Sequence, residues 1–128
     1  MHVFVTTCTA TKDRSPGELP AVRRYRDPRI DAAVAQAQAT TLPLCIFSGR
    51  LGLLDADTPV PWYDSPLQPE AVAESAAQLA QELQHRGITR ITALLEDRTK
   101  PGWAPYHDVI ERGCTQAGVA LRKERWNR

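Results

Sequence analysis

The stretch LPLCIFS, residues 42–48, decides the fold. It is apolar from Leu42 to Phe47 without alternating polar positions, and it stops at Ser48 and Gly49. A continuous apolar pattern of this kind is typical of strands in a sheet whose two faces are both covered by helices. The stretch therefore predicts a buried strand in an α/β fold.

Upstream of this strand, the sequence predicts one further strand and one helix. HVFVTTC (2–8) is a β-branched and aromatic run, so it predicts a first, central strand. After a polar loop, Asp27 and Pro28 form the N-cap and N1 pair of a helix. Apolar residues then recur at helical spacing from Ile30 to Ala37, which predicts one face that packs on the sheet.

Downstream, helix and strand patterns continue to alternate. Segments 69–87 and 105–118 keep the helical period, begin with proline and end with glycine, so each predicts a helix. RITALLE (90–96) predicts a third strand between them. VALRKERW (119–126) predicts a fourth strand, and its charged end indicates an exposed edge of the sheet.

This alternation predicts a small three-layer α/β fold, with a mostly parallel sheet of about four strands and helices on both faces. No linker or internal repeat divides the chain, so residues 1–128 are expected to form a single domain. The carboxyl ends of parallel strands share one edge of the sheet, and α/β folds bind ligands at that edge.

Composition excludes several classes of protein. With 42% hydrophobic and 24% charged residues, the chain is typical of soluble domains, and no apolar run approaches the ~20 residues of a membrane span. The first residues lack the pattern of a signal peptide, so we expect a cytoplasmic protein without a membrane partner. The cysteines and histidines are scattered, which predicts buried reduced thiols at Cys45 and Cys114, no structural metal and no cofactor.

Residues 48–67, SGRLGLLDADTPVPWYDSPL, show neither a helical nor a strand period. Structureless loops of this length are uncommon in small domains and are usually functional or disordered. The aromatic and proline content of the segment argues against disorder. We therefore expect an irregular loop that leaves the second strand and lies over the ligand-binding edge.

Charge is segregated along the chain. Between Arg50 and Arg86 there is no lysine or arginine. The basic residues form two clusters: Lys12, Arg14, Arg23, Arg24, Arg26 and Arg29, and then Arg122, Lys123, Arg125 and Arg128. Such clusters either attract a phosphate-bearing ligand or belong to a solvated surface.

Polar residues follow the predicted strands at the ligand-binding edge. The first strand leads to Thr9 and Lys12, the second to Ser48 and Arg50, and the third to Glu96. This set suits a nucleotide or a sugar phosphate. A carboxylate such as Glu96, at the end of a buried strand, needs either a partner or a chemical task.

Simpler structural roles remain open for these residues. Asp55 can cap a local turn, and Trp62 and Tyr63 can form either a lid over the core or a platform on which a base stacks. Cys8 can be a small hydrophobic residue at a strand end. The sequence contains no GxGxxG, GxxxxGK[ST] or GxSxG motif, which disfavours hydride transfer, P-loop ATPase and α/β-hydrolase chemistry.

Three segments, CTATKD (8–13), YRDPRIDAAVAQA (25–37) and LCIFSGRLGLLDADTPVPWYDSPL (44–67), resemble a family of small bacterial proteins of unknown function. The last segment is also similar to the peroxide-stress YaaA proteins and to a domain of tRNA-guanine transglycosylase relatives. That resemblance implies DNA or modified-nucleobase biology and a fold related to uracil-DNA glycosylases. The chain departs from the pattern at Arg50, where the family has lysine, at Leu51, where it has histidine or tyrosine, and at the inserted Trp62.

The resemblance implies a site that contains Cys8, Lys12, Ser48, Arg50, Gly52, Asp55, Tyr63, Asp64 and Tyr106. Together with the residue patterns, it favours an enzyme or enzyme-like domain directed at a nucleotide, nucleoside or nucleobase, with the N-glycosidic bond as the favoured point of action. The catalytic candidates are Glu96, Asp64 and Tyr106. The substrate-binding candidates are Cys8, Thr9, Lys12, Ser48, Arg50, Gly52, Asp55, Trp62 and Tyr63.

Two alternatives remain open. A non-catalytic DNA-binding stress protein would use the two basic clusters. A partner-binding module would rely on another subunit for its chemistry.

Overall fold

Seven β-strands and four α-helices make up residues 1–126, the part of the chain that the computed structural model describes. The strands are β1 (His2–Thr7), β2 (Glu18–Pro20), β3 (Leu44–Ser48), β4 (Gly52–Asp55), β5 (Pro59–Pro61), β6 (Arg90–Leu95) and β7 (Ala120–Arg125). The helices are α1 (Ala21–Arg24), α2 (Pro28–Thr40), α3 (Val72–His85) and α4 (Ala104–Ala117), and a 3₁₀ turn, Pro69–Ala71, precedes α3.

The main sheet has the strand order β4-β3-β1-β6-β7. β1 is central and runs parallel to β3 and β6, and β6 runs parallel to β7. β4 is antiparallel to β3 and forms one edge, while the charged β7 forms the other. The predicted α/β fold is confirmed, and the sheet has one more strand than expected because β4 adds an antiparallel edge.

Helices cover both faces of the sheet, as predicted. Phe4 and Leu94 pack with Ala33 and Ala37 of α2 on one face. Neighbours on the same strands point the other way, so that Val5 and Ile91 belong to the cluster formed with α3 and α4. The continuous apolar character of the strands thus follows from burial on two sides.

Local signals set the ends of the helices. The Asp27 side chain accepts a hydrogen bond of 2.8 Å from the backbone N–H of Arg29, which confirms the predicted N-cap of α2. Gly118 ends α4 with φ +70°, a conformation that glycine adopts without strain. Gly113 lets α4 approach α3, because a Cβ at this position would lie 2.8 Å from Leu79 Cδ2.

The prediction of an irregular loop over 48–67 is wrong. Residues 52–55 form β4, and residues 59–61 form β5, which pairs with β2 in a second, two-stranded sheet. β4 was missed because three of its four residues are buried, so the sequence does not alternate. β5 was missed because two of its three residues are prolines, which are depleted in strands.

The segment between β1 and α2 is also more ordered than the predicted polar loop, since it contains β2 and α1. Arg24 and Arg29, assigned from the sequence to a basic cluster, are fully buried. They therefore do not belong to a solvated basic surface. Arg128, assigned to the second cluster, lies outside the described residues.

All three cysteines are unpaired and buried, as predicted for Cys45 and Cys114. In the part of the chain that the structure describes, no helix combines the length and the apolar character needed to cross a membrane.

Candidate functional site

A cavity of about 220 Å³ opens at the carboxyl edge of the sheet. Three segments line it: residues 8–12 after β1, residues 63–66 after β5, and residues 101–106 at the start of α4. Of the three strand ends expected to meet here, only the end of β1 lines this cavity, because Ser48, Arg50 and Glu96 are not among its lining residues. Six of the candidate residues line it, namely Cys8, Thr9, Lys12, Tyr63, Asp64 and Tyr106.

A chain of hydroxyl groups fixes Tyr63 in the cavity wall. Ser48 Oγ accepts hydrogen bonds from the backbone N–H groups of Arg50 and Leu51, at 3.2 and 3.0 Å. Because both lone pairs of Ser48 Oγ are then used, its proton is available for the Tyr63 hydroxyl, which lies 2.6 Å away. The Tyr63 hydroxyl in turn lies 2.6 Å from the Tyr25 hydroxyl. Ser48 is buried and does not line the cavity, so its observed contribution is to hold the turn and orient Tyr63.

The phenols of this wall remain protonated. Burial raises the pKa of Tyr63 and the pKa of Tyr106 well above the ordinary tyrosine value. The Tyr106 hydroxyl accepts a hydrogen bond of 3.1 Å from the backbone N–H of Leu67, and Cys8 Sγ lies 3.7 Å from it. These contacts attach the segment after β5 to α4 and close one side of the cavity.

Lys12 places a positive charge at this aromatic wall. Its ammonium group donates a hydrogen bond of 2.7 Å to the carbonyl oxygen of Thr9 and lies 4.8 Å from the centre of the Tyr63 ring. Burial lowers the pKa of Lys12, and the nearby carboxylate of Asp64 opposes that shift. The ring face and the carboxylate both favour the charged form of the amine.

Arg50 contributes a second cation beside the same ring. Its guanidinium carbon lies 5.6 Å from the centre of the Tyr63 ring, and the residue is exposed. Two cations from different segments thus lie beside Tyr63, although only Lys12 belongs to the cavity lining. An anion close to Lys12 in the cavity would be attracted by its ammonium group.

Glu96 lies at the same sheet edge but outside this cavity. Its carboxylate is only 3% exposed; Oε1 is 2.8 Å from Lys100 Nζ, and Oε2 is 3.9 Å from Arg29 Nε. It lines a neighbouring cavity of about 280 Å³. A buried carboxylate requires a partner, and for Glu96 two cations supply it. The acidic side chain that lines the 220 Å³ cavity is instead Asp64.

The other three candidates lie elsewhere. The backbone of Gly52 packs against α3, where a Cβ would lie 2.6 Å from Glu82 Oε1. Asp55 forms an ion pair of 2.9 Å with Arg86. Trp62 is 46% exposed and points into a separate groove.

Sequence reasoning missed two residues that build the cavity. Trp103 lines it directly, with its ring centre 5.2 Å from that of Tyr106. Arg29 supports the cavity without lining it. Its guanidinium lies 5.1 Å from the centre of the Trp103 ring and donates hydrogen bonds to the carbonyl oxygens of Thr7 and Cys8, at 3.0 and 3.4 Å. The sequence did contain a signal for Arg29. Arg29 precedes Ala33 by four residues, and residues four apart share one helix face, so Arg29 lies on the face of α2 that packs on the sheet.

Among residues 1–126, no group of three or more histidine, cysteine, aspartate or glutamate side chains is arranged to hold a metal ion. Comparisons of the chain with models of protein families, with curated proteins and with solved structures found no match.

Proposed function

We propose that the cavity binds the base of a nucleoside or nucleotide, and that the protein acts at the N-glycosidic bond. The observation that carries this proposal is the joint presence of aromatic rings, a cation and a carboxylate around one small cavity. Tyr63, Trp103 and Tyr106 supply ring surface, and Lys12 and Asp64 supply the charges. Aromatic side chains bind bases by stacking, which favours a planar ligand.

The size of the cavity supports a ligand of this class. Pockets for drug-sized molecules usually have volumes of roughly 300–1,000 Å³. The cavity, at about 220 Å³, is smaller and suits a single base with part of its sugar. A phosphate on that sugar would then be attracted by Lys12 in the cavity lining, with Arg50 as a second cation beside the same Tyr63 ring.

Asp64 is the carboxylate that this proposal assigns to the chemistry. Cleavage of a glycosidic bond develops positive charge on the sugar, which a nearby carboxylate stabilises. Asp64 would also accept a proton from the attacking water as the water oxygen bonds to the anomeric carbon and the bond from that carbon to the base nitrogen breaks. The same proton would then pass from Asp64 to the departing base. Glu96 would act indirectly, because it pairs with Arg29, whose guanidinium lies beside the Trp103 ring, and with Lys100 in the loop that carries Trp103.

A DNA-binding protein that relies on the two basic clusters has less support. Arg24 and Arg29 are buried, so the first cluster presents fewer exposed charges than its sequence indicates. In the second cluster, Arg122 lies 3.1 Å from Glu124, and Lys123 forms an ion pair with Glu111. Paired cations have less charge available for phosphates.

The test is release of free base from a panel of nucleosides and nucleoside 5′-monophosphates, measured by chromatography. We expect release from at least one member of the panel, and a loss of about 100-fold or more in Asp64→Asn, the lower range for removal of an acid–base group. Asp57→Asn is the matched control, because Asp57 is exposed and does not line the cavity. Absence of both binding and release across the panel would overturn the proposal.

A further inference from the structure

A second concave surface adjoins the cavity. We call it the Trp62 groove; it has a volume of about 580 Å³ and is lined by residues 14–18 and 61–62. The Trp62 side chain is 46% exposed, and the guanidinium carbon of Arg14 lies 5.4 Å from the centre of its ring. An exposed tryptophan beside an arginine offers both a stacking surface and a phosphate donor.

One buried side chain holds both walls of the Trp62 groove. The Arg24 guanidinium donates to the carbonyl oxygens of Asp13, Ser15 and Gly17, at 2.5, 3.1 and 2.5 Å. Its Nε donates over 2.9 Å to the carbonyl oxygen of Val60 in β5, next to the other wall. The groove is therefore formed before any ligand arrives, which lowers the entropic cost of binding.

The Trp62 groove and the cavity are built from the same two segments of chain. Lys12 lines the cavity and Arg14 lines the groove; likewise, Tyr63 lines the cavity and Trp62 lines the groove. Trp62 and Tyr63 are consecutive residues with Cα atoms about 3.8 Å apart, so the groove and the cavity adjoin each other along this segment. A chain of nucleotides that leaves the cavity past Lys12 would meet Arg14 and Trp62.

We propose, building on the function proposed above, that the substrate is a nucleotide within a single-stranded oligonucleotide. One base occupies the cavity, the adjacent base stacks on Trp62, and Arg14 contacts the phosphate between them. A single strand fits because a base in a small cavity must leave its stack, and because Trp62 needs an unpaired base face. Glu18 is the one carboxylate among the groove residues, and its charge would repel a phosphate placed next to it.

The experiment compares a mononucleotide with a trinucleotide. The probes are the nucleoside 5′-monophosphate that binds most tightly in the panel above and the single-stranded trinucleotide of the same base, both titrated by calorimetry. We expect the trinucleotide to bind at least about fivefold more tightly, the low end of what one stacked base contributes. In Trp62→Ala this gain should disappear, while the affinity for the mononucleotide stays unchanged.

Two further variants sharpen the comparison. Trp62→Phe should retain part of the gain, because a ring remains for stacking. For trinucleotide binding, the slope of the logarithm of the binding constant against the logarithm of the salt concentration should become shallower by about one in Arg14→Gln, because one phosphate contact is lost. Unchanged mononucleotide binding in Trp62→Ala and Trp62→Phe shows that the fold and the cavity are intact.

The outcomes separate the two proposals. If the mononucleotide binds and the trinucleotide binds no more tightly, or if Trp62→Ala keeps the gain, the oligonucleotide substrate is excluded and the nucleotide-binding cavity stands. If no member of the panel binds, the proposed function fails, and the oligonucleotide substrate fails with it.

Discussion

Arg29 Nε lies 3.9 Å from Glu96 Oε2, and the two side chains are 0% and 3% exposed. The pair joins α2 to the residue that follows β6. Arg29 also donates a hydrogen bond of 2.6 Å to the hydroxyl oxygen of Thr6 in β1. Three elements are thus connected by one guanidinium group. The same guanidinium group lies 5.1 Å from the centre of the Trp103 ring.

Removing Arg29 should destabilise the protein strongly. In Arg29→Met, Glu96 keeps Lys100 but loses a buried cation, and we expect a loss of about 3–5 kcal/mol in the free energy of unfolding. Arg29→Met/Glu96→Gln should recover part of this loss, because the carboxylate charge is also removed. Arg26→Met, at a side chain that is 64% exposed, is the matched control and should change little. Urea denaturation measures all three, and a loss below about 1 kcal/mol in Arg29→Met would contradict the structural role.

The hydroxyl group of Tyr63 should contribute measurably to stability. Tyr63→Phe keeps the ring but removes hydrogen bonds of 2.6 Å to both Ser48 and Tyr25, all of them buried. We expect a loss of about 1–3 kcal/mol in the free energy of unfolding, because buried hydroxyl groups are left without partners. Trp62→Phe, at an exposed position, should cost less than about 0.5 kcal/mol in the same urea experiment. Equal losses in the two variants would exclude the hydroxyl chain.

Cys114 should make the protein sensitive to alkaline pH. Burial raises the pKa of this thiol from 9.0 to about 11, so the folded state binds its proton more tightly than the unfolded state does. This stabilisation is complete below pH 9 and is lost as pH rises towards 11, amounting to about 2–3 kcal/mol. Cys114→Ala should show a lower stability at neutral pH because of the cavity it creates, but a smaller decrease between pH 8 and pH 11. Parallel decreases in the two proteins would contradict the raised pKa.

His107 should make the protein sensitive to acid. Its Nε2 bonds to the carbonyl oxygen of Glu96 at 2.7 Å, which requires an N–H there, and its Nδ1 lies 2.9 Å from the Lys123 ammonium, which requires a lone pair. Burial lowers the pKa of His107 below 6.5. The folded state therefore binds this proton less tightly, so the stabilisation is present above pH 6.5 and is lost as pH falls below it. His107→Gln should lose less free energy of unfolding between pH 7 and pH 5 than the wild type; an equal loss would exclude this role for the histidine.

Most of the sheet and its helices could be predicted from local patterns. The strands β1, β3 and β6 are buried on both faces, so their sequences are largely apolar without regular alternation, and glycine and proline mark the helix ends. β4 and β5 could not be predicted in this way because their pairing partners, β3 and β2, determine them. Short strands carry too few residues to show a period, so the tertiary context decides their structure.

The site was predictable only where residues follow strand ends. Lys12 and Cys8 follow the central strand, and the topology of the sheet brings such residues to one edge. The burial of Arg24 and Arg29 could not be inferred from charge, because their partners are mostly backbone carbonyls that no sequence motif records. Glu96, selected as a catalytic candidate, pairs with Arg29 and Lys100 instead of lining the cavity, and Arg29 is 67 positions away in the sequence, so no local pattern records that pair.

The location of nucleotide binding is tested most directly by a heteronuclear NMR titration of the protein with the nucleoside 5′-monophosphate panel. We predict that the perturbed backbone amides cluster in residues 8–12, 63–66 and 101–106, the three segments that line the cavity. We also predict that Lys12→Met, which removes the ammonium group beside Tyr63, weakens binding by about tenfold, as expected for the loss of one charge-assisted contact. Saturable perturbations confined to other residues, or no perturbation by any member of the panel, would contradict a nucleotide site at this edge of the sheet.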